Sequence, residues 1–130
     1  MVGEDIHEDF NGHKGIIYEG GHMWMSAGKG IMHSEKPVVG EEKFYWELQL
    51  WINLPKRLKT SEPGYRIISD QDSPKAEKNG VKVKILAGES MGVKSSFQNV
   101  VPVWYLDFKL APGAEHIQEV ENVKEFFILF

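Results

Sequence analysis

A histidine and a carboxylate one residue apart, His33 and Glu35, follow a glycine-flanked lysine in the stretch AGKGIMHSEKP, Ala27 to Pro37. On an extended strand, residues i and i+2 project to the same side, so the two side chains converge while Ser34 points away. One imidazole nitrogen and one carboxylate oxygen suit iron, manganese or zinc. Two donors on a single strand make at most half a metal site, and the same pair also reads as an exposed or hydrogen-bonded couple. A nucleotide-binding P-loop is ruled out. That loop requires glycine, four residues, then Gly-Lys-Ser/Thr, whereas Met23 stands where the first glycine belongs and Gly30 follows Lys29. Gly28 and Gly30 are expected instead to supply positive φ in a tight turn.

Further donors lie nearer the start. His7 and Asp9 are also an i, i+2 pair, and His13 follows six residues after His7. One reading is a donor set of His7, Asp9, His33 and Glu35, a composition acceptable to non-haem iron. The other is that HEDFNGH is a polar hairpin tip with its imidazoles in water. His22 sits at a turn and reads as surface. Trp24, Trp46, Trp51 and Trp104 read as core packing on strands. Glu4, Asp5, Glu8 and Asp9 read as a solvated acidic end, and Lys56-Arg57-Leu58-Lys59 has the form of a minimal nuclear import signal, a pattern that also arises by chance.

The elements that must position these groups are strands. IIYE (16–19), MWMS (23–26), ELQLWINL (47–54), VKVKIL (81–86), VWYLDFKL (103–110) and EFFILF (125–130) are short and rich in β-branched and aromatic residues, and N-G, G-G, G-K-G, E-P-G and A-P-G separate them. VKVKIL alternates strictly, which sends Val81, Val83 and Ile85 to a core and Lys82 and Lys84 to water. VWYLDFKL puts Trp104, Leu106 and Phe108 opposite Tyr105 and Asp107. No segment carries a helical stripe longer than a turn or two. The pattern predicts an all-β sandwich or barrel.

Residues 56–80 are polar and, with Pro55, hold three of the six prolines, so they read as a connection between two β-rich pieces. The final FFILF is five apolar residues with no turn after it, and it reads as a strand belonging to a larger fold. The chain has 130 residues, 42% of them hydrophobic and 26% charged, with a formal charge of -4. That describes a folded soluble domain with no basic surplus for direct nucleic-acid binding. Cysteine is absent, which excludes disulfides and thiolate chemistry and agrees with an intracellular setting. No apolar run approaches the roughly 18 residues of a membrane span.

Taken in order, MWMSAGKGIMHSEKP, ELQLWINLP, EPGY, KNGVKVKILAGESMGVKS and VWYLDFKLAPGAEH resemble the pirin family of the cupin superfamily over nearly the whole chain. The resemblance implies jelly-roll cupin barrels in two lobes, with residues 1–55 as the second half of the N-terminal lobe, 56–80 as the connection and 81–130 as the opening strands of the C-terminal lobe. It implies Fe(II) held in the N-terminal lobe, with His33 and Glu35 as two of four ligands, and no metal near His116 in the second lobe. The family's other two ligands come from a His-x-His in a motif resembling His-Pro-His-Arg-Gly, which this sequence lacks; the expectation is a truncated member. Two functions follow from the resemblance. One is a monomeric transcriptional co-regulator of nucleus or cytoplasm that contacts a transcription factor. The other is an iron-dependent quercetin 2,3-dioxygenase acting on a flavonol, with Glu35 as ligand and proton acceptor, an activity expected to be slight in this chain alone. A fragment without specific function is the remaining alternative.

Overall fold

A computed structural model describes residues 3–38, 44–97 and 99–121. Within them the chain forms ten strands, β1 (Asp5–Asp9), β2 (Lys14–Ile17), β3 (His22–Ser26), β4 (His33–Pro37), β5 (Gly64–Ile68), β6 (Lys75–Lys78), β7 (Val81–Ala87), β8 (Glu89–Ser90), β9 (Val93–Lys94) and β10 (Tyr105–Leu110). The only helical element among the described residues is a single 3-10 turn at Lys56–Leu58. All strand pairs are antiparallel, as the all-β reading expects. Among the described residues no helix is long and apolar enough to cross a membrane.

The chain divides into two compact units, residues 1–73 with 99–101, and residues 74–98 with 102–130. The first is built on a three-stranded sheet ordered β2-β1-β4 and a two-stranded sheet β3-β5. A hairpin joins β1 to β2, as the HEDFNGH pattern suggests. The first sheet's apolar anchor is Ile17, and the second's is Ile68; both are buried. Gly15, opposite His7 in the β1–β2 register, sits under the tip of Ile67, since a Cβ there would lie 2.4 Å from Ile67 Cδ1. Ile67 and Tyr65 of β5 thus lie over the face of the β2-β1-β4 sheet that carries His7.

The second unit is built on the sheet β10-β7-β6. Its central strand realises the expected alternation: Val81, Val83, Ile85 and Ala87 are buried, and Lys82 is exposed. Asn79-Gly80 closes the β6–β7 hairpin with φ of +51° and +77°, the two positive values that a two-residue turn requires. Ile85 is 1% exposed, so Ile85→Val should lower stability by about 1 kcal/mol through loss of one buried methyl group. A shift in urea midpoint without a change in slope checks this.

Two expectations need correction. ELQLWINL forms no strand: a single bridge at Trp46 precedes it and residues 47–54 make none, and Leu48, Leu50, Trp51 and Ile52 are exposed. An apolar pattern favours a strand only where a partner edge is available to pair with it. Trp46 and Trp51 accordingly are not core residues, Trp51 being 85% exposed. The segment 56–80 supplies β5 to one sheet and β6 to the other, and the boundary between the units falls at Ser73 and Pro74. EFFILF lies outside the described residues.

Candidate metal-donor face

The glycine turn ahead of the donors has the expected backbone. Gly28 and Gly30 take φ of +51° and +123°. Gly30 N–H donates to Ala27 O at 2.8 Å, closing the turn, and Lys29 N–H donates to Ser61 O at 2.9 Å. The tight approach to Ser61 is possible only because residue 28 lacks a Cβ, which would stand 2.1 Å from that same carbonyl oxygen. After the turn the chain extends into β4, and His33 and Glu35 stand on it two residues apart.

The β1–β4 register brings other groups to them. His7 lies opposite Glu35, and Asp9 opposite His33. Directly opposed residues of an antiparallel pair project to the same side, so His7, Asp9, His33 and Glu35 share one face. His7 Nδ1 is 3.9 Å from Glu35 Oε1, and its ring is 5.5 Å from that of His33 and nearly parallel to it. The Tyr65 ring closes over His7 at 4.4 Å. His7 is fully buried, and both of its ring nitrogens lack a hydrogen-bond partner. The reading of this histidine as a solvated hairpin residue is therefore wrong: cover from β5 buries it.

Asp9 and His13 have other duties. Asp9 Oδ1 accepts from the backbone N–H groups of Asn11 at 2.9 Å and His13 at 3.1 Å, and Oδ2 lies 2.9 Å from His13 Nδ1. This is the aspartate-capped turn that closes the β1–β2 hairpin, and it engages both oxygens of Asp9. A hollow of about 440 Å³ beside that tip is lined by Asp9, His13, Tyr65 and Arg66 among others, and by neither His33 nor Glu35. His22 Nδ1 lies 3.5 Å from Ser73 Oγ. His116, in the second unit, lies tilted against Phe108 with ring centroids 5.2 Å apart and contacts Gln118.

Asp5 is a residue that sequence reasoning placed in water and the structure buries. It is 1% exposed, with both carboxylate oxygens unpartnered. Burial, reinforced by the charges of Glu47 and Glu35, holds its carboxyl above the usual carboxylate range. Tyr45 is pushed well above its ordinary value by burial and by a hydrogen bond to Glu47. Glu35 itself accepts a hydrogen bond from Gln49 Nε2 at 3.1 Å on Oε2. Asp5 is thus a buried acid beside this face, and its burial favours the protonated carboxyl.

Burial, and then the neighbouring His33, depress the His7 pKa below 6.5, with Glu35 and Asp9 acting in the opposite direction. An unfolded chain takes up a proton near pH 6.5 that the folded imidazole resists, so the unfolded state binds more protons and stability falls as pH drops through that value. Asp5 works with the opposite sign, because its raised pKa lets the folded state keep a proton that the unfolded carboxyl loses near 3.8. Comparison with His7→Gln separates the two. In the metal-free chain, wild type should lose more stability than His7→Gln between pH 7.5 and pH 5.5, read from urea midpoints. Equal losses contradict the burial of a neutral His7.

His33 and Glu35 are donors of the type that iron accepts, but the set is not full. Among the described residues no three His, Cys, Asp or Glu side chains gather closely enough to hold a metal ion.

Comparison with known proteins places this arrangement. Residues 1–52 match the Pirin family model. The chain is 54% identical over 120 residues to Pirin-like protein 2 of Arabidopsis thaliana, covering 92% of this chain and 36% of that protein. It is 45% identical over 126 residues to human Pirin, covering 97% of this chain and 43% of that protein. The chain thus spans well under half the length of these curated relatives. A crystal structure of quercetin 2,3-dioxygenase from Acinetobacter baumannii superposes with a TM-score of 0.78 at 33% identity, covering 88% of this chain and 41% of that one.

Proposed function

Because the chain belongs to the pirin family of cupin-type proteins, we propose that it is the part of a pirin-type lobe that offers His33 and Glu35 to Fe(II). The supporting observation is the β1–β4 register, which sets both donors on one face beside a fully buried imidazole with no partner. Bound iron would supply a Lewis-acid centre there. Full coordination takes donors beyond these two, so the affinity of this chain is expected to be modest.

In this reading the metal serves regulation in the nucleus or cytoplasm. The iron state alters the surface around β1 and β4, and that surface contacts a transcription factor. Support comes from kinship with the pirins and from a formal charge of -4, which suits a partner that carries the DNA contacts itself. Recovery of a nuclear protein by the chain with ferrous iron, lost with a chelator and in His33→Ala, tests it. Recovery insensitive to metal counts against it.

A second reading is favoured by the superposition on a quercetin 2,3-dioxygenase. There a flavonol is the substrate, and Glu35 Oε1, the oxygen not bonded to Gln49, accepts its hydroxyl proton. The donor face lacks enclosure, with His33 exposed, so water is not excluded. Oxygen uptake with quercetin and ferrous iron should stay at the level of Glu35→Ala. Uptake well above that level makes the enzymatic reading the better one.

A further inference from the structure

Residues 47–55, ELQLWINLP, run without a turn or bend, and among the described residues no backbone hydrogen bond joins 48–54 to another segment. Two ties within the chain hold the stretch. Gln49 Nε2 donates to Glu35 Oε2 at 3.1 Å, and Lys59 Nζ donates to Asn53 Oδ1 at 2.6 Å. Leu48, Leu50, Trp51 and Ile52 nonetheless stay exposed, and residues 48–55 carry no charge. An anchored, uncharged segment with unpaired backbone groups is a template for another strand.

The segment is complementary to itself. LQLWINL has the same character read in either direction from Trp51: Leu50 and Ile52, then Gln49 and Asn53, then Leu48 and Leu54. Directly opposed residues of an antiparallel pair share a face. Two copies centred on Trp51 therefore set Leu50 against Ile52 and Leu48 against Leu54 on one side. On the other, Gln49 opposes Asn53 and Trp51 meets its own counterpart. Slipping the register one step either way sets Trp51 against an amide, Gln49 or Asn53. The flanking charges agree, since Glu47 comes to the Pro55-Lys56 end of the other copy. Parallel pairing would put Glu47 beside Glu47 and Lys56 beside Lys56. We propose that two copies of this chain associate through residues 47–55, paired antiparallel about Trp51 with two-fold symmetry. The contact needs no metal, so it stands apart from the donor reading of His33 and Glu35.

Sedimentation equilibrium of the metal-free chain should show monomer and dimer in exchange. Leu50→Lys, which sets an ammonium against Ile52 of the other copy, should sediment as a monomer. Its melting temperature should match that of dilute wild type, because position 50 is exposed within one chain. Adding Ile52→Glu to Leu50→Lys puts opposite charges across the pair and should restore the dimer. The absence of cysteine allows a test of register. Under mild oxidation, Leu50→Cys mixed with Ile52→Cys should form disulfide-linked heterodimers. Neither variant alone should, because identical positions then lie beyond the ~7 Å between Cα atoms that a disulfide spans. A monomer at every concentration overturns the proposal. So does a dimer that Leu50→Lys leaves intact, or one that cross-links equally through Ile117→Cys, an exposed position outside the segment.

Discussion

Alanine at either His33 or Glu35 is expected to abolish metal binding, with a loss of about 100-fold or more in each single variant. A face with two donors has no redundancy, so removing one leaves a single side chain and water to hold the ion. The fold should survive both changes. His33 is exposed, Glu35 is partly so, and neither carries apolar packing. Isothermal titration with Co(II), read beside a thermal scan, separates loss of a donor from loss of structure. Alanine at His13 or His116 is the matched control and should leave binding unchanged, since Asp9 and Phe108 respectively account for their positions.

The second large effect falls on the turn that leads into β4. Gly28→Ala should destabilise the chain by roughly 2 to 4 kcal/mol. Part comes from placing a side chain at positive φ, and part from a Cβ set 2.1 Å from the Ser61 carbonyl oxygen. That oxygen is also the acceptor for Lys29 N–H, so backbone movement to relieve the clash breaks a hydrogen bond. Gly30→Ala is the informative partner. Its φ is +123°, yet nothing lies within 4 Å of a Cβ built there, so only the conformational cost remains, roughly 1 to 3 kcal/mol. Urea midpoints should therefore rank wild type, Gly30→Ala, Gly28→Ala in falling order. Equal midpoints for the two variants would mean that Ser61 moves aside at no cost.

Much of this was legible in the residues. Strict alternation in VKVKIL marks a half-buried strand whatever it pairs with, because the two-residue period is local. The glycines of AGKG and the pair Asn79-Gly80 carry their own backbone preference, and the strand positions of His33 and Glu35 follow from the turn. What could not be read is whatever depends on a distant segment. Asp5 and His7 lie in DIHED, a stretch that composition assigns to water, yet both are buried; Tyr65, nearly sixty residues on, closes over His7. β5 and β6 arise in a polar region because β3 and β7 offer edges to pair with. ELQLWINL has a strand's composition without a partner among the described residues, and its Gln49 bonds Glu35 instead. The donor strand was local information; its surroundings were not.

The most direct measurement is an anomalous difference map from crystals of the chain loaded with Co(II). The account predicts one peak within about 2.2 Å of both a His33 ring nitrogen and Glu35 Oε1, on the face shared with His7. A peak elsewhere, or side chains of residues 33 and 35 projecting from opposite sides of β4, would contradict it.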